Sequence, residues 1–210
     1  MQKLNQQPDI CPYFSPEFKV IPQYIIMKEG ECMELNNRTT SFFIFILSGE
    51  ITISFEQYTN RSVLENEMFF LPKNNCFKWK AVTQTVLILT GYNATIFPCT
   101  SVRARILYKI KAGVKFDCRG VVMKDEVKVV VNQMKHYLES GINCHHMYIL
   151  KHKELYLMFK HFYTYEEIIQ IFYLILGSNP LFNERVLDNY LKVKTVKELA
   201  GLLGYGIKTG

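Results

Sequence analysis

The five histidines of this 210-residue chain, His136, His145, His146, His152 and His161, all lie in its second half, and residues 1 to 135 contain none. A metal-dependent enzyme built on a β-barrel needs His ligands and a carboxylate projecting from barrel strands. The strand-like half lacks the first of these residue types, and adjacent His145 and His146 would point in different directions on a helix. No metal and no cofactor are expected. The six cysteines, Cys11, Cys32, Cys76, Cys99, Cys118 and Cys144, form no Cys-x-x-Cys pair and read as reduced thiols. No G-x-S-x-G elbow, no Gly-rich phosphate loop and no base-activated cysteine context is found, so the sequence reads as a non-enzyme.

Binding chemistry is more legible at the C-terminus. In a helix-turn-helix, a small residue sits where the second helix crosses the first, and four positions later a Gly takes the positive φ of the turn. Ala200 and Gly204 have that spacing, with Leu199 and Leu203 as core contacts, Tyr205 on the turn and Thr195 as cap. An ordinary helix with a Gly C-cap has the same pattern and stays open as a reading. A net charge of +6 is compatible with a polyanionic partner. Much of that charge falls between Arg103 and Arg119, where RARILYKIKAGVKFDCR reads either as a solvated strand face covering an edge or as a phosphate-facing patch.

Elements able to position these groups follow from periodicity. Up to about residue 100 the chain reads as short strands closed by turn signals. Phe42 to Leu47 is apolar on both faces, so a central buried strand is expected there, and Ser48-Gly49-Glu50 turns the chain. Ile51, Ile53 and Phe55 alternate with polar residues, Thr59-Asn60-Arg61 reads as the next turn, and Met68 to Leu71 ends at Pro72. Phe77, Trp79 and Ala81 alternate again, and Val86 to Leu89 closes a series whose even spacing suggests a sandwich or closed barrel.

After residue 120 the period lengthens. Val127, Val130, Val131, Met134, Tyr137 and Leu138 form one stripe of a helix from Asp125 to a stop at Gly141. A second helix is expected from Asn143 to about Tyr163. The Thr164–Glu167 capping box should open a third, running to Gly177. Asn179-Pro180 would open a fourth, with Phe182, Val186, Leu187, Tyr190 and Leu191 on one stripe, and Thr195–Glu198 a fifth. A hydrophobic fraction of 49% is ample for a core, and no run has the length of a signal peptide or membrane span, so a cytoplasmic protein with no membrane partner is expected.

VLDNYLKVKTVKELAGLLGYGIKT resembles the opening of the DNA-binding domain of AraC/XylS transcription regulators, with a helix, a Lys-rich connector, a V-x-E-L-A helix and a G-Y turn. FFIFILSGEITISF followed by ENEMFFLP is similar to the cupin-type sensor domain of that bacterial family. Gly206 stands where the family usually has Ser, and only one turn of the recognition helix precedes Gly210. The resemblance implies an α+β chain: a cupin-like, jelly-roll β-barrel sensing an effector over 1–120, a helical dimerisation segment over 121–178 and a truncated start of the helix-turn-helix domain over 179–210. An all-α segment of four to five helices would thus follow the barrel.

On that reading Phe43, Phe45, Ile53, Phe55, Phe70 and Trp79 could line an effector pocket, or simply fill a dry core. With little buried charge in the strands, a neutral or apolar small molecule is the better guess. Val127, Val130, Val131, Met134 and Leu138 could form a homodimer seam or pack back on the barrel. Thr195, Lys197, Lys208 and Thr209 remain as partial DNA contacts, and specific DNA binding is expected of the full-length protein, not of this fragment. The competing reading is a self-contained small-molecule-binding or dimerising cupin module without DNA function.

Overall fold

Period-two alternation becomes two packed antiparallel sheets in the computed structural model, which describes residues 22–37, 40–56, 58–73, 75–92, 118–142, 144–173, 186 and 189–202. The strands are β1 (Gln23–Met27), β2 (Cys32–Asn37), β3 (Ser41–Ser48), β4 (Glu50–Phe55), β5 (Tyr58–Leu64), β6 (Glu67–Leu71), β7 (Asn75–Ala81), β8 (Thr85–Tyr92) and β9 (Val121–Val122). One sheet, here sheet A, has the order β1-β8-β3-β6-β9, and the other, sheet B, the order β2-β7-β4-β5. With β9 set aside, each sheet interleaves early and late strands as an eight-stranded jelly roll requires.

Side-chain parity sorts the apolar residues into two cores. Ile44 and Ile46 of β3, Phe69 and Leu71 of β6, and Leu87 and Leu89 of β8 point between the sheets, where they meet Ile51, Ile53, Phe55, Phe77 and Trp79 of sheet B. Their neighbours Phe43, Phe45, Met68, Phe70 and Ile88 point the other way and pack against helices. Sheet A is therefore covered on both faces, and its middle strands read as continuous apolar runs for that reason.

The covering layer consists of α1 (Asp125–Glu139), α2 (His145–Phe162) and α3 (Tyr165–Phe172). Acidic Asp125 and Glu126 favour the start of α1, and Gly141 at φ +69° follows its end. At α3 the expected box is complete: the Thr164 hydroxyl accepts the Glu167 N–H at 3.2 Å, and the Glu167 carboxylate accepts the Thr164 N–H at 2.8 Å. Tyr163 ties the layer to the sheet, its hydroxyl donating to the Val122 carbonyl at 3.0 Å and accepting the Lys124 N–H at 2.8 Å. Further on lie a 3-10 turn at Tyr190–Lys192 and a short α4 (Val196–Leu202).

One expectation changes. Thr59-Asn60-Arg61 lies inside β5, and the β4–β5 connection comes earlier, at residues 56–57. Asn60 keeps its turn-like φ of +48° beside an irregularity in the β4–β5 register, where the Ser54 hydroxyl accepts its N–H at 2.9 Å. Turn chemistry is thus present but is spent on a kinked strand. The third helix is α-helical to Phe172, and residues 174–185, including most of the fourth expected helix, lie outside the described residues.

The turn between β3 and β4 needs glycine. Gly49 has φ +85°, and a Cβ there would sit 2.4 Å from the Gln84 carbonyl oxygen. Gly49→Ala is expected to cost about 2 kcal/mol or more, through left-handed strain and the clash together. Urea denaturation measures it; a loss below about 0.5 kcal/mol would mean that the turn relaxes freely.

Candidate functional site

Three of the six proposed pocket residues, Ile53, Phe55 and Trp79, share the interior between the sheets. Phe43, Phe45 and Phe70 do not; they sit on the outer face of sheet A beneath the helices. The correction follows from parity, because β3 is apolar at every position from Phe42 to Leu47 and alternation alone cannot say which face looks inward. Phe43 instead forms the hub of an aromatic cluster, with ring centroids 5.0 Å from Phe70, 5.5 Å from Tyr92, 5.8 Å from Phe159 and 6.1 Å from Phe172.

The sandwich interior is largely apolar, and it holds one polar atom without a partner among the described residues. Trp79 is 2% exposed, and its indole Nε1–H is buried without a hydrogen-bond partner. A buried donor left unmade costs on the order of 1–3 kcal/mol, so this atom is where an entering acceptor would gain most. Phe55 and Phe77, with ring centroids 4.7 Å apart, share that interior with it. Phe77 was not among the pocket residues expected from the sequence, although it shares the inward parity of Trp79 along β7.

Behind Trp79 the outer face of sheet B is polar. Cys32, Glu34, Thr52, Ser54, Asn60, Lys78 and Lys80 border an open groove of about 440 Å³. Glu34 accepts from the Cys76 thiol at 3.1 Å and lies 3.9 Å from Lys78. That hydrogen bond raises the thiol pKa, with lesser help from desolvation and the carboxylate charge, which keeps Cys76 a poor nucleophile. Among the described residues, no group of three or more His, Cys, Asp or Glu is placed to hold a metal ion.

The barrel is an eight-stranded jelly roll. Solved structures that overlap it include the cupin domain of Schizosaccharomyces pombe Cnp3 (18% identity, 36% of this chain and 56% of that one, TM-score 0.33). A cupin superfamily protein from Desulfitobacterium hafniense overlaps similarly (17% identity, 35% and 68%, TM-score 0.32). So does a conserved Streptococcus pyogenes protein of unknown function (19% identity, 34% and 62%, TM-score 0.32). The chain thus spans under two thirds of the Cnp3 domain and of the streptococcal protein. Strand order, rather than these short overlaps, carries the architecture. No family model matches the sequence, and a search of curated proteins finds no match.

The proposed dimer stripe is also relocated. Val127, Val130, Val131 and Met134 are at most 1% exposed, and Leu138 packs against the same core, so the stripe is consumed within the chain. Sheet A has an apolar outer face to cover, and the nearest amphipathic helix covers it. Of the proposed DNA contacts, Thr195 and Lys197 are exposed at α4, and Lys208 and Thr209 lie outside the described residues. Thr195 caps α4 by accepting the Glu198 N–H at 3.1 Å, while Glu198 reaches one residue beyond the box to the Lys194 N–H at 2.8 Å. α4 has no buried residue, and Val196 and Leu202 are exposed. No helix among the described residues is long and apolar enough to cross a membrane.

Proposed function

We propose that this chain is the sensor part, and the beginning of the DNA-binding part, of a transcription regulator resembling the AraC/XylS family. What carries the reading is the capped, exposed α4 at the place where VKELAGLLGYGIKT resembles the first helix-turn-helix. A cupin-like barrel ahead of it agrees with that order of parts. The protein acts by binding rather than by catalysis, since its barrel half offers no histidine to hold a catalytic metal.

The effector is a small, mostly apolar molecule carrying one hydrogen-bond acceptor, which takes the Trp79 N–H and packs against Phe55 and Phe77. Binding biases the arrangement of the helices behind sheet A and thereby the presentation of the DNA-binding part. The protein pairs as a homodimer through a surface other than the buried α1 stripe.

Two measurements test this. Trp79 is the only tryptophan, so its emission reports directly on the sandwich interior. An effector of this chemistry is expected to change that emission saturably, and a screen of such molecules with no response in any member would argue for a purely structural barrel. Gel shifts at graded salt, comparing this chain with the product of the full reading frame, are expected to show specific, salt-dependent binding by the longer product only. Absence of DNA binding by both would leave the self-contained cupin module as the better reading.

A further inference from the structure

One face of α2 carries two histidines into the apolar layer behind sheet A. His145 and His152 are seven residues apart, so they lie on the same stripe as Tyr148, Leu155 and Phe159, and they are 8% and 5% exposed. His152 Nε2 lies 2.8 Å from the Thr90 hydroxyl of β8, a link from α2 directly into the middle of sheet A. The Tyr148 backbone also hydrogen-bonds the ring and favours its charged form. In the tautomer whose Nε2 carries no proton, the neutral ring accepts the Thr90 hydroxyl. His145 Nε2 is buried with no partner at all.

We propose that His145 and His152 form a proton-sensitive latch, which holds α2 against the back of sheet A while both rings are neutral and releases it when they take up protons. Protonating Nε2 of His152 turns an acceptor into a donor, forces the Thr90 hydroxyl to reverse, and leaves a cation in a site only 5% exposed. His145 would gain a second buried donor with nothing to receive it.

The Tyr148 backbone favours the charged ring of His152, but burial outweighs it. β8 contributes Thr90 and Tyr92, and β1 contributes Tyr24, over whose ring Lys135 of α1 lies. α1 also brings Tyr137, and α2 itself Tyr148 and Tyr156. The charged groups along the same stretch are matched elsewhere, Lys135 with Glu139 and Lys151 with Glu154. The charges that act on the two rings are those of His146 on His145 and of His145 on His152, and both oppose protonation. Burial is the larger cause in each case; it lowers the His145 pKa and pushes that of His152 down to about 4.

The sign follows from linkage. A histidine whose folded pKa lies below its unfolded value of 6.5 contributes fully above that value, and its contribution falls as pH drops from 6.5 toward 4. Over that window each ring can weaken docking by up to about tenfold per pH unit.

Hydrogen exchange, expressed as protection factors at each pH, reads the latch. From about pH 7 to about pH 4.5, protection of residues 145–162 is expected to fall at least about tenfold in the natural chain, ahead of β3 and β8. In His145→Gln/His152→Gln, where neutral amides replace both rings, it should stay flat. An equal fall in the double variant, or no fall in the natural chain, would overturn the latch. Should the double variant not fold, ring titration of the natural chain by NMR decides. Midpoints of both rings below the ordinary value that coincide with loss of α2 protection support it, and midpoints at the ordinary value sink it.

Discussion

Phe43→Ala is expected to destabilise the protein by about 3–5 kcal/mol, the range for removing a fully packed aromatic ring from a core that cannot close over the gap. Phe43 is 3% exposed and meets β6 through Phe70, β8 through Tyr92, α2 through Phe159 and α3 through Phe172. Edge-to-face geometry with Phe70, Tyr92 and Phe172 adds on the order of 0.5–1.5 kcal/mol per pair beyond area burial. In urea, with a slope of about 1–3 kcal/mol per molar, the midpoint should drop by more than about 1 M. A loss of less than about 1.5 kcal/mol would show that the helices slide inward to refill the space.

Val131→Asp should be at least as damaging, and its signature separates two roles for α1. Val131 is fully buried in the layer between helix and sheet, so a carboxylate there is an unpaired charge in an apolar site, costing several kcal/mol or emerging protonated. The expected result is unfolding, or a large drop in midpoint that does not depend on protein concentration. Were the stripe a seam between two copies, the variant would instead stay folded as a monomer, and the midpoint of the natural chain would rise with concentration. Equilibrium denaturation over a hundredfold range of concentration distinguishes the two.

How far the fold was legible varied with how much each element is specified locally. β4 and β7 have one wet face, so Ile51, Ile53 and Phe55, and Phe77, Trp79 and Ala81, announce both strand and facing. α1 shows its stripe and its stop, and Thr164 with Glu167 marks the start of α3 within four residues. β1 and β2 were not individually recognised. Facing failed where both sides of a strand are buried: Phe43 and Phe45 carry the same apolar pattern as Ile44 and Ile46, and what covers each face is decided by helices far along the chain. The Thr90–His152 contact joins residues 62 apart, so no local signal announces it. A weak one existed, since His152 falls on the stripe of Tyr148, Leu155 and Phe159 and is thereby assigned to the buried side of α2.

Glu167 shows how a cap can serve two layers. Burial pushes its pKa up, but the Thr164 N–H and the ammonium of Lys124, 3.0 Å away, outweigh that and hold it lower than usual. The same carboxylate thus starts α3 and fastens it to the residue that precedes α1.

Because β3, β6 and β8 send alternate residues into both cores, sheet A behaves as a shared partition rather than as the wall of a closed vessel. A close-packed partition transmits displacement instead of absorbing it. Any molecule that widened the space beside Trp79 would therefore move the backbone on which α1, α2 and α3 rest, and the rearrangement would propagate without a hinge, a lid or a direct contact with the helices. The same economy has a hazard: if the helical layer were stripped away, five large apolar side chains of β3, β6 and β8 would face water together, and the bare barrel would be prone to aggregate.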